Sequence, residues 1–398
     1  MDMLKDFAET PEKCCACGAC ISACPTQPKA MNFVENEEGF LYPQIDEDRC
    51  IHCKACERAC FYRQGIVDWP DKLSSEKISF AIQMKDAHTR LHCQSGGMSS
   101  LLVNAILSKG GIVYGCILDE HFDAVYNRIE AKPEDEKLRG SKYVQASTNG
   151  IYESVKSDLK KGRIVLFLGT PCYTEGLLSY LHGKFRENLL LVDIICHGVP
   201  SPKLWRDFLS YRKNQEGKEI TKVNFRDKEH FGWHSHVESI WFGDKRRSST
   251  IYTTIFYSHL ALRHSCLVCP FTSTNRHSDI TLGDCWSLEK NLPSFDDNCG
   301  TSLVIINTKT GRKWFNFGIV GADVIPIDLK DYMQPQLQYP STCDSKSRAK
   351  FWNDYKNKGY SYIFKKYGRD SLYWKIRKKV ASIKLIRIVV NSIRKIIQ

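Results

Sequence analysis

Cys14-Cys15-Ala16-Cys17-Gly18-Ala19-Cys20-Ile21-Ser22-Ala23-Cys24-Pro25 and Cys50-Ile51-His52-Cys53-Lys54-Ala55-Cys56-Glu57-Arg58-Ala59-Cys60-Phe61 are two copies of one pattern. In each, three cysteines recur every third residue and a fourth follows four residues later. Three thiolates spaced i, i+3 and i+6 on a tight loop can grip three irons of one cubane. The fourth, on the following helical turn, points to the neighbouring cluster. The expected sets are therefore Cys14, Cys17 and Cys20 with Cys60, and Cys50, Cys53 and Cys56 with Cys24. Zinc knuckles are also built from C-x-x-C pairs, but zinc takes four ligands in two pairs, and here triplets plus one occur twice. The pattern favours two 4Fe-4S clusters. Cys15 belongs to neither set and reads as a bystander, and Phe61 stands where proline is usual.

Working outward, residues 1–70 are cysteine-dense and poor in long apolar stretches, so this module needs its metal to fold. The whole chain has 398 residues, 18 cysteines, 42% apolar and 26% charged residues. That length allows two or three domains. Its N-terminus lacks an apolar signal core, and no run is long and apolar enough to cross a bilayer. Clustered cysteines without a secretory signal point to metal ligation in a reducing compartment, hence to the cytoplasm. Of the net charge of +12, eight units come from Lys375, Arg377, Lys378, Lys379, Lys384, Arg387, Arg394 and Lys395. The excess is mostly a tail, so no nucleic-acid partner follows from it.

From about residue 77 to 340 the texture becomes that of a larger mixed-sheet α/β domain. Residues 112–118, 163–169 and 189–195 read as buried strands. Between them lie amphipathic segments near 98–109, 149–161 and 173–183. Residues 222–226, 237–242 and 251–255 alternate or are β-rich, as in an antiparallel part of a sheet. Residues 278–282 and 302–306 are further strands. The expected fold class is thus α+β to α/β, a bacterial-type dicluster ferredoxin module ahead of the larger domain. A third segment, 345–398, reads as a basic helical tail. There Ile376, Val380, Ile383, Ile386, Val390, Ile393 and Ile397 form one apolar face. Such a helix suits an anionic membrane surface at the inner face, a partner, or the protein's own body.

Four cysteines in the α/β part occupy suggestive places. Cys172 follows one strand in Gly169-Thr170-Pro171-Cys172, and Cys196 follows another in Cys196-His197-Gly198. Cys266 and Cys269 form a C-x-x-C pair. Loops past the C-terminal ends of parallel strands gather ligands in open α/β sheets. The four make a set for a third 4Fe-4S cluster; the alternative is that Cys172 and Cys196 only pack.

At these residues the chain resembles the coenzyme F-420 hydrogenase/dehydrogenase beta-subunit family, whose members are iron–sulfur flavoproteins. The matching segments run in order from Gln94-Ser95-Gly96-Gly97-Met98-Ser99 through Gly140-Ser141-Lys142-Tyr143-Val144-Gln145, Gly169-Thr170-Pro171-Cys172 and Asp193-Ile194-Ile195-Cys196-His197-Gly198-Val199-Pro200-Ser201-Pro202. They continue with Phe225-Arg226-Asp227-Lys228, Cys266 to Phe271, Arg276 to Trp286, and Gly300 to Val304. The resemblance implies a bound FAD, a cluster beside it, and reversible transfer between a two-electron donor and one-electron clusters. It also brings in coenzyme F-420 as a candidate partner. Tyr173, Cys285 and Ser287 depart from the family's usual Gln, aromatic and Gly.

Within that frame, Ser95, Gly96, Gly97 and Ser99 open a helix whose amides and dipole favour a pyrophosphate, where a simple capped turn is the alternative. Ser141 and Lys142 would lie near the flavin, with Lys142 stabilising an anionic reduced ring. His197 is a candidate proton relay. Asp284 and Trp286 would line the same cavity. The expected function is an iron–sulfur flavoprotein oxidoreductase working with a redox partner protein or a small-molecule donor. Its rivals are a non-catalytic electron-transfer subunit and a redox accessory enzyme of surface-polysaccharide synthesis at the membrane face.

Overall fold

The computed structural model describes residues 10–65, 78–132, 134–371 and 373. The N-terminal module holds a hairpin of β1 (Met31–Glu35) and β2 (Leu41–Ile45) and three short helices, among them α1 (Ala19–Ala23) and α2 (Ala55–Arg58). Its interior is small: Cys14, Ile21 and Met31 are buried, packed by Cys20, Cys24, Cys56 and Cys60. The cysteines themselves are the core.

The larger domain is built on one eight-stranded sheet. In chain order its strands are β3 (Ile78–Met84), β4 (Ile112–Leu118), β5 (Ala124–Ile129), β6 (Val165–Gly169) and β7 (Leu189–Ile194). After a separate three-stranded sheet of β8 (Lys222–Asn224), β9 (Glu238–Phe242) and β10 (Lys245–Ser249) come β11 (Ile280–Asp284), β12 (Ser302–Ile306) and β13 (Ala322–Ile327). The large sheet runs β13-β3-β12-β11-β7-β6-β4-β5. Its four central strands β4, β6, β7 and β11 are parallel, and antiparallel strands flank them on both sides.

Residues of the central strands alternate between two cores. Ile112, Tyr114, Val165, Phe167, Leu189 and Leu191 face one, whereas Val113, Leu166, Leu190 and Val192 face the other. Both faces are covered, which is why these strands read as continuous apolar runs. Around the sheet pack α3 (Met98–Ser108), α4 (Ile151–Lys160), α5 (Pro171–Leu181), α6 (Pro202–Glu216), α7 (Ile251–Tyr257), α8 (Lys309–Gly318) and α9 (Ser345–Lys366).

One expected strand is a helix. Residues 251–255 lie in α7, where Ile251, Tyr252, Ile255 and Phe256 are buried at helical spacing. The carboxylate of Glu238 accepts from the amides of Tyr252 and Thr253, both at 3.2 Å, and so caps the first turn from a distant strand. That tertiary cap overrides the β-rich composition.

The segment from Ser345 does not begin as a separate tail. In α9, Phe351 and Phe364 are fully buried in the main core. Arg348 of α9 holds Glu38 of the hairpin turn through paired bonds of 3.0 and 2.9 Å, tying the N-terminal module down. The basic apolar-faced stretch 376–397 lies outside the described residues. Among the described residues, no helix is long and apolar enough to cross a membrane.

Candidate functional site

The two N-terminal motifs interleave. Cys24 shares a small apolar cavity with Cys50, Cys53 and Cys56. Burial pushes the Cys20 thiol up, and the charges of Cys17, Cys14 and Cys60 oppose its ionisation further. Burial likewise raises Cys60, to about 12. Thiols crowded this way in a dry pocket ionise only with a cation among them, which is the requirement that metal ligation meets. Cys53 is the exposed corner, whereas Cys14 is buried against the large domain.

The C-terminal ends of the parallel strands build the second centre. Thr170 follows β6 and the chain turns into α5 with Pro171 at its start, placing Cys172 in the first helical turn. Past β7 come Ile195 and Cys196, and past β11 come Cys285 and Trp286. Cys266 and Cys269 arrive on a 3₁₀ turn. The thiols of Cys172, Cys196 and Cys269 all act electrostatically on Cys266, whose ionisation burial already disfavours. The hydroxyl of Thr170 meets the Cys172 sulfur at 3.3 Å, and the Gly198 amide donates to the Cys196 sulfur at 3.4 Å. Gly198 has φ +114, and a Cβ there would lie 3.0 Å from Cys266 Cβ, so only glycine fits between the two loops.

All of this opens into one cavity of about 460 Å³, within the ordinary range for ligand sites. Its wall carries Cys172, Cys196, Cys266 and Cys269 together with Ser95, Gly97, Ser99, Ser141, Lys142, His197, Asp284 and Trp286.

Residues 162–325, which carry this four-thiol set, match the family model for the C terminus of the coenzyme F420 hydrogenase/dehydrogenase beta subunit. Residues 13–63 match the model "4Fe-4S dicluster domain". The chain is thus similar to this beta-subunit family over residues 162–325 and to dicluster ferredoxin domains over residues 13–63. An uncharacterized protein of Methanocaldococcus jannaschii is 25% identical over 357 residues, covering 78% of this chain and 88% of that protein. Subunit alpha 1 of the acetyl-CoA decarbonylase/synthase complex of Methanosarcina acetivorans is 36% identical over 78 residues. That match covers 19% of this chain and a tenth of the relative. A solved structure of the F420-reducing [NiFe] hydrogenase complex from Methanosarcina barkeri is similar with a TM-score of 0.44 and 17% identity. It covers 66% of this chain and 85% of that chain.

Upstream of the matched beta-subunit region, two loops complete the cavity. Gly97, at φ +91, is the N-cap of α3 and brings no side chain to its first turn, where the Met98 amide donates to Ser302 Oγ at 3.4 Å. The amides of this turn and the helix dipole suit an anion. Gln94 accepts from the Ser141 amide at 3.1 Å, joining the two loops, while its own Nε2 is buried without a partner. Arg139 Nε is orphaned in the same way. Two buried donors without acceptors, beside the N-terminal turn of α3, fit a flavin's pyrophosphate and ring carbonyls. Sequence reasoning passed over Arg139 and did not single out Gln94.

Three predicted residues have other duties. Gly96 does not line the cavity; a Cβ there would meet the Ile82 carbonyl at 2.0 Å and the Ser302 amide at 2.5 Å, so it is glycine for sheet packing. Lys142 donates to the carbonyls of Lys137, Leu138 and Arg139 at 3.0–3.1 Å, and burial lowers its pKa to about 8. It stays a cation in the wall, but its hydrogens are spent on a turn. Asp284 accepts from Arg226 at 2.8 Å and from Trp233 at 3.0 Å. Its role is to hold the buried Arg226, which lies 4.9 Å over the Trp286 ring.

His197 is kept neutral: burial, then the charge of His259, lowers its pKa to about 4 against a smaller upward pull from Asp284. Its ring meets Tyr257 edge-on at 5.8 Å, and Tyr257 in turn bonds His236 at 3.0 Å. This end of the cavity offers neutral proton donors and acceptors on aromatic walls.

Proposed function

We propose that this chain is an FAD-dependent iron–sulfur oxidoreductase that exchanges electron pairs with a small molecule and single electrons with a protein partner. One observation carries the reading: a four-thiol set and a glycine-opened helix N-terminus with two orphaned donors share a single cavity. Flavin and clusters together supply the conversion between paired and single electrons.

The chain's own residues then have definite tasks. Cys172, Cys196, Cys266 and Cys269 would hold a third cluster, and Thr170 and Gly198 would hydrogen-bond its thiolates. The first-turn amides of α3, with Gln94 and Arg139, would hold the pyrophosphate. Lys142 contributes positive charge beside the ring. Arg226, clamped by Asp284, and the Trp286 face leave a polar and aromatic end for the two-electron partner. The family description names coenzyme F420 and a beta subunit, which supports a deazaflavin-type hydride carrier as that partner and a further subunit as the one-electron partner.

Anaerobic purification with iron, sulfide, zinc and flavin quantified per chain tests this. About twelve irons and one FAD are expected, four irons per cubane. Eight irons without flavin would leave a non-catalytic carrier, and zinc in their place would overturn both.

A further inference from the structure

Arg226, Asp227 and Lys228 are three consecutive charged residues, and all three are buried, at 3%, 1% and 3% exposure. Each reaches a different element. Arg226 holds Asp284 at the end of β11. Asp227 accepts from the Ser239 hydroxyl of β9 at 2.5 Å. Lys228 reaches the loop that leads into α3.

The Lys228 ammonium donates to three main-chain carbonyls, those of Arg90 at 2.6 Å, Cys299 at 2.7 Å and Ser95 at 3.0 Å. Its three hydrogens are thereby used. Among the described residues no carboxylate pairs with it. Burial lowers its pKa to about 8, against smaller upward pulls from Cys93 and Asp284, so at pH 7 it remains a cation. Ser95 opens the Ser95-Gly96-Gly97 loop, and Cys299 lies in the connection between β11 and β12. The two segments meet closely. Ser95 Oγ donates to the Thr301 carbonyl at 2.6 Å. A Cβ on Gly300 would lie 2.7 Å from the Ser95 carbonyl oxygen and 3.0 Å from Lys228 Nζ. Lys228 itself does not line the cavity, whereas Ser95, Gly97 and Ser99 do.

We propose that Lys228 is a positioning residue for the pyrophosphate site: its ammonium fixes the Ser95 carbonyl, sets the first turn of α3 against the cavity, and places behind that turn a positive charge that no carboxylate cancels. The proposal rests on the flavin reading given above. Carbonyl dipoles satisfy the hydrogens of a buried ammonium but leave its charge standing, and a phosphate anion at the neighbouring helix end offsets it. A lysine kept for the fold alone would support every part of a bound flavin equally. One that serves the pyrophosphate supports the phosphates and not the ring.

The test therefore compares flavins with and without phosphates. The full chain, purified anaerobically and stripped of flavin with its clusters intact, is titrated with FAD and separately with riboflavin, as wild type, Lys228→Met and Lys228→Arg. In Lys228→Met the FAD dissociation constant should rise by roughly tenfold, the worth of one hydrogen bond to a charged group. Riboflavin affinity and iron per chain should stay at their wild-type values. Lys228→Arg keeps the cation, but a planar guanidinium cannot aim hydrogens at three oxygens around one point. It should fold and show the same FAD-selective loss at a few-fold, and it carries the test alone if the methionine variant does not fold. Equal weakening of FAD and riboflavin would reduce Lys228 to support of the fold, and unchanged FAD affinity would remove it from the site; either result overturns the proposal. Wild-type protein that binds neither flavin would instead sink the flavin reading, and this role with it.

Discussion

Arg263 of the large domain donates from Nε to the backbone carbonyl of Cys14 at 2.7 Å, with its guanidinium fully buried. The same group lies 4.0 Å over the Tyr42 ring and reaches Gln145 at 3.3 Å. Among the described residues no carboxylate pairs with it; burial works against its charge, which the acidic groups of Cys14, Tyr42 and Cys15 favour. Arg263→Met would leave a buried carbonyl unsatisfied, a loss of about 1–3 kcal/mol. The expected outcome is a melting temperature lower by several degrees and weaker iron retention under mild chelation. Unchanged melting would show that the docking of the N-terminal module does not depend on this residue.

Gly176 is the steric partner of Cys17. Because a side chain there would sit inside the Cys17 sulfur and Cβ, at 2.6 and 2.7 Å, Gly176→Val must push the first motif off α5. Iron per chain should drop by about four while the second ferredoxin centre keeps its signal. Full iron in the variant would mean that this contact yields.

Gly97 tests the flavin site apart from the clusters. Its φ of +91 is a left-handed conformation, and a Cβ would lie 2.9 Å from Met84 Cβ. Gly97→Ala should turn the first amides of α3 away and lower FAD per chain several-fold, with iron unchanged. Equal flavin in variant and wild type would count against that helix as the pyrophosphate site.

His236 gives a pH signature. Burial, then the charge of Arg226, lowers its folded pKa to about 4 from an ordinary 6.5, against a smaller upward pull from Asp284. Between those values the unfolded chain takes up a proton that the folded chain refuses. Stability from this group is whole above pH 6.5 and is lost as pH falls toward 4. Melting temperature should therefore decline across that window, and the slope should be shallower in His236→Phe. Parallel pH profiles would refute the assignment.

Because five cysteines, Cys14, Cys20, Cys24, Cys56 and Cys60, share the N-terminal interior with only Ile21, Met31, Phe33, Tyr42 and Ile45, it has little apolar core to fall back on. Chelating the iron anaerobically should open residues 10–65 to protease while the large sheet stays protected. A resistant apo module would show that packing alone suffices.

The parts of this molecule legible in the sequence are those that local spacing specifies. The i, i+3, i+6 cysteines announce their geometry because the loop that carries them is short. Central strands such as 112–118 and 189–194 stand out because both faces are buried. What stayed hidden depends on distant partners. The helix at 251–257 owes its first turn to Glu238, thirteen residues before Ile251. Strands β3 and β13 are paired only with each other and β12, far apart in the chain, and were not anticipated. That Cys15 shares a cluster with Cys172 and Cys269 could not be read from spacing, because the fold brings those two to it. Gly96 looked like a ligand loop, but the contact that forbids a side chain there is the backbone of β3 and β12. Of the cavity's orphaned donors, Gln94 opens a matching segment but nothing in the sequence marks it as a donor, and Arg139 lies in no such segment.

Cys53 sits at the surface while Cys14 is sealed beneath the large domain, so the metal centres face the outside unequally. Oxygen arriving from solvent meets the Cys53 corner first and the deep thiols last. Damage in air should advance inward from that rim, making brief exposure to oxygen a way of stripping one centre from an otherwise intact molecule.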